Sequence, residues 1–474
     1  MNHTSKFPFT DGLVTTLRAT LTGKVFLPGD EGYAAETAAH NPNLMLTPGV
    51  TVAAESEEDV RRAVSFANSL SMPIAVTATG HQVLDPAENG MLINVSRLNS
   101  VTIDPETHVA VVGGGTRWHQ VLDEASKVGL APVAGAASGV GVVGYTLGGG
   151  VSPVLGRSQG YASDHVLWIR LVTADGTLHH VDPVTDPHLF AALRGGKGSF
   201  GVVTEMAFRL FPATRFHGGA LFFAGEDLAE VLHTWREWAP ELGEQTTTSV
   251  VVVRTPPAPE LPEPVRGRLL VSVRFAHLGP EEEADHLLAP LRAAAPVVFD
   301  TIGEKTFPEI GDIHTEPADP LPTFSASSGL SAVTPELVDQ LVALVGPGST
   351  SGLIVEIRAL GGAWDRSPRY TDSVPMRGVP FLMFALAVGG HQQERILRSR
   401  LDELMDAVAP WATTERSPNF IAATDRDRLW EIFGAENYAR LVAAKRRHDP
   451  KNLFRLGHRI SGTAAVTNAH DAEG

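Results

Sequence analysis

Two stretches of the chain have the glycine spacing that brings backbone N–H groups close to phosphate. Residues 139–144 and 196–201 both fit the pattern G-x-G-x-x-G, and Asp164 follows the first stretch by about twenty residues, as in dinucleotide-binding units. Such a unit has a strand directly before the glycines and a helix directly after them. Small residues at 134–138 precede the first stretch, and the glycines at 148–150 would break a helix, so a Rossmann unit for NAD is not expected.

Glycine and other small residues form one long run from 135 to 150. Such a run is either a tightly turning loop or backbone that lies against a large ligand, with its N–H groups turned to a pyrophosphate. The alternation of strands and helices around the run favours the ligand, but the run alone does not identify it.

A carboxylate and a guanidinium alternate along a predicted strand at 354–358. Glu356 and Arg358 therefore share one face of that strand. If this face is the floor of a pocket, Glu356 would serve as a proton acceptor and Arg358 would hold an anionic or carbonyl group. The alternative is an exposed ion pair.

Several other kinds of chemistry are excluded or disfavoured. The chain has no cysteine, which removes disulfides, thiolate metal sites and thiol nucleophiles. Asp312, His314 and Glu316 loosely resemble a metal-binding set, but turns of this composition are common, so no metal site is expected. The 54 acidic and 38 basic residues give a net charge of −16, which argues against a nucleic acid or an anionic membrane as partner.

The composition is that of a globular protein. Of the 474 residues, 43% are hydrophobic and 19% are charged. No stretch approaches the roughly 20 apolar residues of a membrane helix. A soluble, cytoplasmic protein is expected.

The elements that would position these residues change in kind along the chain. Residues 51–76 are predicted to form a strand, a helix that begins at the capping pair Ser56 and Asp59, and a second strand. After Pro212 the pattern predicts an antiparallel sheet with helices on one face, and hence an α+β fold. The strands predicted there are 216–223, 250–253, 268–275, 354–358 and 382–386, with helices at 228–235, 281–288 and 429–447.

A series of short segments follows in an order that resembles a known family. The segments are 48–52, 58–70, 73–82, 92–98, 113–118, 141–150, 160–164 and 194–204. Over about residues 45–212 they resemble the FAD-binding domain of the vanillyl-alcohol oxidase and p-cresol methylhydroxylase superfamily. The tail, with Asn419 and residues 445–454, resembles the berberine bridge enzyme-like branch of that superfamily.

The resemblance implies an architecture of three segments. Residues 1–213 would form most of a two-subdomain FAD-binding domain, residues 214–410 a substrate domain, and residues 411–474 a segment that returns to the FAD-binding domain.

The resemblance also implies a covalently bound flavin. His81 matches the histidine that bonds the 8α-methyl group of the isoalloxazine, and a neutral imidazole is a suitable nucleophile for that bond. Many relatives carry a second bond through a cysteine, but Ala137 stands at that position, so a single link is expected. The cofactor-binding residues implied are Thr77, Ala78, Thr79, Gly80, His81, Gln82, Ser138, Gly141, Gly144, Tyr145, Gly148, Gly149, Asp164, Gly201, Val203 and Asn419.

Two departures from the family pattern concern the mechanism. Thr77 replaces the arginine of Arg-x-Gly-Gly-His, so contacts of that guanidinium must be supplied elsewhere. Ser417 stands where many relatives have a tyrosine, and a serine hydroxyl is a poor base near neutral pH. Because the usual tyrosine is absent, the proton acceptor must come from elsewhere. The candidate catalytic residues are Glu356 and Arg358 on the predicted strand, Tyr370 in the substrate domain, and Ser417 at the position of the missing tyrosine.

The function implied is an FAD-dependent oxidase that removes hydride from a C–H bond of a small organic substrate, with O2 as acceptor. A secondary metabolite and a sugar-like alcohol are both left open as substrates. The alternatives are a redox-neutral flavoprotein that catalyses a cyclisation or rearrangement, and a binding protein without catalytic activity.

Overall fold

The computed structural model describes residues 11–315 and 320–460 of the chain. The strands of its first half are β1 (Val25–Phe26), β2 (Val50–Ala53), β3 (Ile74–Thr77), β4 (Met91–Asn94), β5 (Val101–Asp104), β6 (Val109–Gly113), β7 (Leu130–Ala131), β8 (Val166–Thr173), β9 (Leu178–Val181), β10 (Gly201–Arg209) and β11 (Phe211–Pro212). Those of its second half are β12 (Arg215–Ala224), β13 (Thr246–Arg254), β14 (Leu269–His277), β15 (Val297–Asp300), β16 (Gly303–Thr306), β17 (Thr323–Leu330), β18 (Leu353–Ala359) and β19 (Phe381–Val388).

Helices cover these sheets. They are α1 (Asp11–Thr20), α2 (Tyr33–Glu36), α3 (Glu57–Ser69), α4 (Trp118–Ser126), α5 (Val142–Leu147), α6 (Gly156–Gln159), α7 (Pro187–Gly196), α8 (Leu228–Trp238), α9 (Glu281–Ala294), α10 (Pro335–Val345), α11 (Glu394–Val408) and α12 (Leu429–His448). Within the described ranges, none of them has both the length and the apolar character needed to span a membrane.

The first sheet has the order β1-β2-β4-β3, in which β2, β4 and β3 are parallel. Strands β2 and β4 are buried along their whole length, as expected for parallel strands covered on both faces. Helix α3 supplies part of that cover, because Val60, Ala63 and Val64 recur at helical spacing and are fully buried.

The start of α3 confirms half of the predicted cap. The Ser56 hydroxyl accepts the Asp59 N–H at 3.1 Å. The Asp59 carboxylate does not complete the reciprocal pair. It accepts the backbone N–H groups of Thr22, Gly23 and Glu55, and so fixes the turn between α1 and β1 to the start of the helix.

The second sheet is antiparallel, with the order β5-β6-β10-β8-β9. Successive side chains of β10 point to opposite faces, so this strand belongs to two cores. Val202 packs with the first sheet and α3, whereas Val203 packs with α4 and α7. The two sheets of the first half are thereby held together by one strand.

The third sheet contains all the strands of the second half, in the order β15-β12-β14-β13-β18-β19-β17, with β16 paired to β12. Every pairing is antiparallel. One face packs under α8, α9, α10 and α11 through residues such as Val250 and Ile357. The alternate residues, including Ser249, Glu356 and Arg358, lie on the opposite face. The predicted α+β fold with a helix-backed antiparallel sheet is confirmed.

The C-terminal segment returns to the first half of the chain. At the end of α12 the Lys445 ammonium donates to Ser199 O, Asp449 Oδ2 and Phe454 O at 2.7 to 2.8 Å. Beyond this point Leu453 O accepts the N–H of Ile74, the first residue of β3. The last helix is therefore attached to both sheets of the first half.

The sequence does not predict five elements of the third sheet and its helices, namely β15, β16, β17, α10 and α11, and it misses one helix in the glycine run. Strand β17 has small polar residues and poor alternation, and its pairing with β19 along its whole length makes it a strand. Helices α10 and α11 are also missing from the prediction. Helix α5 begins inside the glycine run, where no helix is expected. It ends at Leu147, and Gly148 is the residue that caps it.

The buried pair of Lys445 and Asp449 provides a test of this architecture. The Lys445→Met variant would leave the Asp449 carboxylate buried without its counter-charge, which costs about 3–5 kcal/mol. We therefore expect a clearly lower melting temperature in a thermal denaturation experiment. Lys451→Met is the matched control, because Lys451 is exposed and its ammonium donates to Asn68 O at the surface. Equal melting temperatures for the two variants would contradict the importance of the pair.

Candidate active site

The loop that follows β3 places His81 against the segment that follows α2. Gly80 has a φ of 69°, and a Cβ there would lie 2.9 Å from Ala38 O and 3.0 Å from the Ala39 Cα. Glycine therefore allows the loop to lie directly on this segment. The His40 N–H donates to Gly80 O at 2.9 Å, and the His40 ring stacks on the His81 ring.

The environment of His81 keeps its imidazole neutral. Burial, together with the neighbouring His40 and Arg117, lowers the pKa of His81 to about 4. Its Nδ1 lies 2.8 Å from the Thr79 hydroxyl, which holds the ring in place. At neutral pH the side chain thus carries an available lone pair, which a nucleophile requires.

The glycine run lies beside this loop and has two different parts. A Cβ at Gly141 would be 3.5 Å from the Thr79 methyl group, and a Cβ at Gly144 would meet no atom within 4 Å. At Gly148 and Gly150 a Cβ would instead collide with Asn419 and with the Tyr145 ring. The first part is therefore an open backbone surface next to His81, and the second part is closely packed against protein.

Residues 417–421 close the site from the C-terminal side. Asn419 Nδ2 donates to Tyr145 O at 2.9 Å, and Gln82 Nε2 donates to Pro418 O at 2.8 Å. The Lys197 ammonium donates to Gln82 Oε1, and burial lowers its pKa to about 7. The expected residues 77–82, 141–149 and Asn419 are thus brought together, with Ser417 buried beside Pro418.

A buried ionic cluster lies on the helix-free face of the third sheet. Glu356 Oε1 accepts from Arg274 Nη1 at 2.7 Å and from the Ser249 hydroxyl at 2.8 Å, and Glu356 Oε2 accepts from Arg358 Nη2 at 2.8 Å. His314 Nε2 lies 3.4 Å from the same carboxylate. Ser249, Arg274, His314 and Arg358 line a small cavity of about 20 Å³, which holds about one water molecule.

The cluster changes the role expected of Glu356. Burial alone would raise its pKa, but the guanidinium groups of Arg358 and Arg274 and the His314 ring outweigh burial and hold the pKa well below its usual value. A carboxylate so strongly stabilised in its ionised form is a weak proton acceptor. The expected role of general base therefore does not fit, and the geometry gives Glu356 the role of holding two arginines in place.

The cluster is in contact with the closing segment of the site. The Arg358 guanidinium lies over the Phe420 ring, 5.2 Å from its centroid, and the Phe420 ring also packs on Phe384 at 4.7 Å. Among the described residues, the buried Tyr145 hydroxyl has no hydrogen-bond partner. An additional polar group between the glycine run and the sheet would satisfy it.

Two predicted site residues lie apart from this assembly. The Asp164 carboxylate accepts from Arg377 Nη2 at 2.7 Å and from the Tyr161 N–H at 3.0 Å, so it serves an ion pair between the two halves of the chain. The Tyr370 ring is 38% exposed, and its aromatic contacts are with Phe190 and the Arg369 guanidinium.

Two predicted cofactor residues, Gly201 and Val203, are part of β10. Gly201 lies so close to β8 that a Cβ would be 2.5 Å from Val172 O, and Val203 is buried in the core of the second sheet. Packing within the sheet therefore explains both the absence of a side chain at 201 and the apolar side chain at 203.

Sequence reasoning misses four side chains that the structure brings to the site: His40, Arg117, Lys197 and Arg274. It considers His314 only as part of a loose metal pattern, whereas the structure places this ring beside Glu356. The position of Arg274 had a usable signal, because it alternates with Ser272 along a predicted strand. Arg117 Nη1 donates to Gly139 O at 3.2 Å, so a guanidinium reaches the glycine run although Thr77 cannot supply one.

No group of three or more His, Asp or Glu side chains in residues 11–315 and 320–460 is arranged to hold a metal ion. Glu316, which belongs to the loose metal pattern, lies outside the described residues.

Comparisons with known proteins identify the cofactor class. Residues 48–182 match the model of the FAD binding domain, and residues 419–461 match the model described as berberine and berberine like. The chain is 27% identical over 461 residues to the (R)-6-hydroxynicotine oxidase of Paenarthrobacter nicotinovorans, covering 92% of this chain and 96% of the relative.

Solved structures agree with this similarity. The 6-hydroxy-D-nicotine oxidase of Arthrobacter nicotinovorans superimposes with a TM-score of 0.79 and 25% identity, covering 94% of this chain and 98% of that one. The xylooligosaccharide oxidase of Myceliophthora thermophila has a TM-score of 0.83 at 20% identity, over 95% and 99% of the two chains, and shares the fold. Because the relatives over nearly the whole chain are enzymes, the alternative of a non-catalytic binding protein is set aside.

The site fits FAD on its own geometry. The open backbone at Gly144 is a surface that a flat, extended ligand would fill, and the neighbouring Tyr145 has a buried hydroxyl without a hydrogen-bond partner among the described residues. Arg117 places positive charge at the glycine run, as the pyrophosphate of FAD requires.

Alanine substitutions at two glycines separate cofactor contact from protein packing. Gly148→Ala would displace Asn419 from Tyr145 O, so we expect the flavin-free protein to melt at a lower temperature. Gly144→Ala has open space and should leave that melting temperature unchanged, while it lowers the flavin absorbance of protein purified from flavin-replete cells. Full flavin content in Gly144→Ala would show that the open surface does not bind the cofactor.

Proposed function

We propose that this chain, an FAD-linked oxidoreductase with a berberine-like C-terminal region, is an oxidase whose FAD is attached through a single bond to His81. The observation that supports the proposal most directly is a neutral, stacked His81 beside the open backbone of Gly141 and Gly144. When bound, FAD accepts hydride from a substrate C–H bond and passes the electrons on to O2.

The chain's own residues would hold the cofactor from three sides. The loop 77–82 and the backbone of 138–144 would contact its extended part, and Arg117 would supply the positive charge that Thr77 lacks. Asn419 would fix the end of α5 next to it through Tyr145 O. Ala137 leaves His81 as the one attachment point.

The ionic cluster of the third sheet would bind the substrate. Arg358 lies over the Phe420 ring, so a guanidinium group stands next to an aromatic ring where the cluster meets residues 417–421. Its guanidinium would hold a carbonyl or anionic oxygen of the substrate, and Glu356 would keep it in place.

This part of the site has no strong proton acceptor among the residues named here. Glu356 is bound by two guanidinium groups, and the Ser417 hydroxyl does not ionise near neutral pH. We propose that the oxidised C–H bond is adjacent to an amine nitrogen, because the nitrogen lone pair assists the departure of hydride without prior loss of a proton. The relative named a hydroxynicotine oxidase supports an oxidase reaction of this kind.

The attachment of the flavin can be tested by acid precipitation. We expect the wild-type pellet to be yellow and fluorescent, and the supernatant colourless, because a covalent bond survives denaturation. His81→Ala should release its flavin into the supernatant, whereas His188→Ala, with an exposed histidine, should behave as the wild type. If the pellet of His81→Ala stays yellow, another residue carries the bond.

The reaction itself can be tested with an oxygen electrode and a panel of amines, alcohols and aromatic metabolites. Consumption of O2 in step with product, together with formation of peroxide, is expected for amines. The lack of a proton acceptor also suits a redox-neutral cyclisation or rearrangement, in which product forms without O2 uptake. That outcome would replace the oxidase by the redox-neutral function.

A further inference from the structure

The His81 ring is covered on one face by a second imidazole. The centroids of the His40 and His81 rings are 3.9 Å apart, and their planes are inclined by 16°. His40 is exposed, so its position over His81 is not dictated by packing into the core. The two rings come from different loops, one after α2 and one after β3.

The backbone around both rings is fixed. The His40 N–H donates to Gly80 O at 2.9 Å, directly before His81. The absence of a Cβ at Gly80 lets its loop lie within about 3 Å of Ala38 and Ala39. The stacking therefore follows from a close contact between two backbone segments.

The segment that carries His40 is also anchored to the third sheet. Asn41 Nδ2 donates to Thr323 O at 2.8 Å, and Asn41 Oδ1 accepts the Thr323 N–H at 3.2 Å. Asn43 Nδ2 donates to Gly389 O at 2.8 Å. Residues 38–43 thus connect the His81 loop with β17 and the end of β19. The backbone at His40 is held on one side by Gly80 O and on the other by the hydrogen bonds of Asn41 and Asn43 to the third sheet.

We propose that His40 is a positioning residue for flavin attachment, whose ring holds the imidazole of His81 in the orientation that bond formation requires. The proposal rests on the proposed attachment at His81. In that reaction one imidazole N–H bond and one C–H bond of the 8α-methyl group break, one N–C bond forms, and O2 takes up the two hydrogens and two electrons as H2O2. Holding a nucleophile in a reactive orientation is a large contribution to rate.

The test follows the attachment rate and not the turnover. Full-length protein from riboflavin-limited cells is mixed with FAD in air, and samples are denatured and read for protein-bound flavin fluorescence on a gel. We expect attachment in His40→Ala to be slower by about tenfold or more, since small errors of placement are costly. His40→Phe keeps a flat ring in the stack and should attach flavin within about threefold of the wild-type rate.

Non-covalent FAD binding, measured by quenching of flavin fluorescence before attachment, shows that each variant is folded. His188→Ala is the matched control, and it should attach flavin at the wild-type rate. A wild-type rate in His40→Ala, or an equally slow rate in His40→Phe and His40→Ala, would overturn the role of the stacked ring. Absence of covalent flavin in the wild type would overturn the attachment itself, and with it the role of His40.

Discussion

The buried ion pair of Lys445 and Asp449 determines how the two ends of the chain meet. An ammonium group is tolerated in the interior only if its hydrogen bonds and its charge are satisfied, and Lys445 finds Ser199 O, Asp449 and Phe454 O. Asp449 in turn accepts the N–H groups of Leu453 and Phe454. Because Leu453 then pairs with Ile74 at the start of β3, the strand that leads to His81 is held by the C-terminal segment.

The candidate site lies where this closed first half meets the third sheet, and the two sides of the site have opposite electrostatics. His81 is partly buried beside the His40 ring and the Arg117 guanidinium, and no carboxylate is among the groups that shift its pKa, so it is neutral. Glu356 is more deeply buried but lies between two guanidinium groups, so it stays ionised. Burial acts on both groups, and the charged neighbours decide which form each one adopts. One side is thereby suited to a nucleophile and the other to binding an oxygen of the substrate.

Much of the fold could be predicted because local patterns dominate in most elements. Strands β12, β13 and β18 contain the predicted runs. Strand β17 could not be predicted, because its serines and glycine resemble a loop until β19 pairs with them. Helix α5 was hidden for a related reason: glycines weaken a helix in isolation, but close packing of Gly148 against Asn419 favours them here.

The sequence by itself determined the position of His81 after Gly80, the extent of the glycine run, and the shared face of Glu356 and Arg358. These are properties of residues close together in the chain, and spacing is enough to indicate them. Only the tertiary structure decided that Arg274, 82 residues from Glu356, shares its carboxylate, and that His40 stacks on His81. The roles of Glu356 and His81 depend on those distant partners, because a pKa and an orientation are set by the groups in contact and not by neighbours in the sequence.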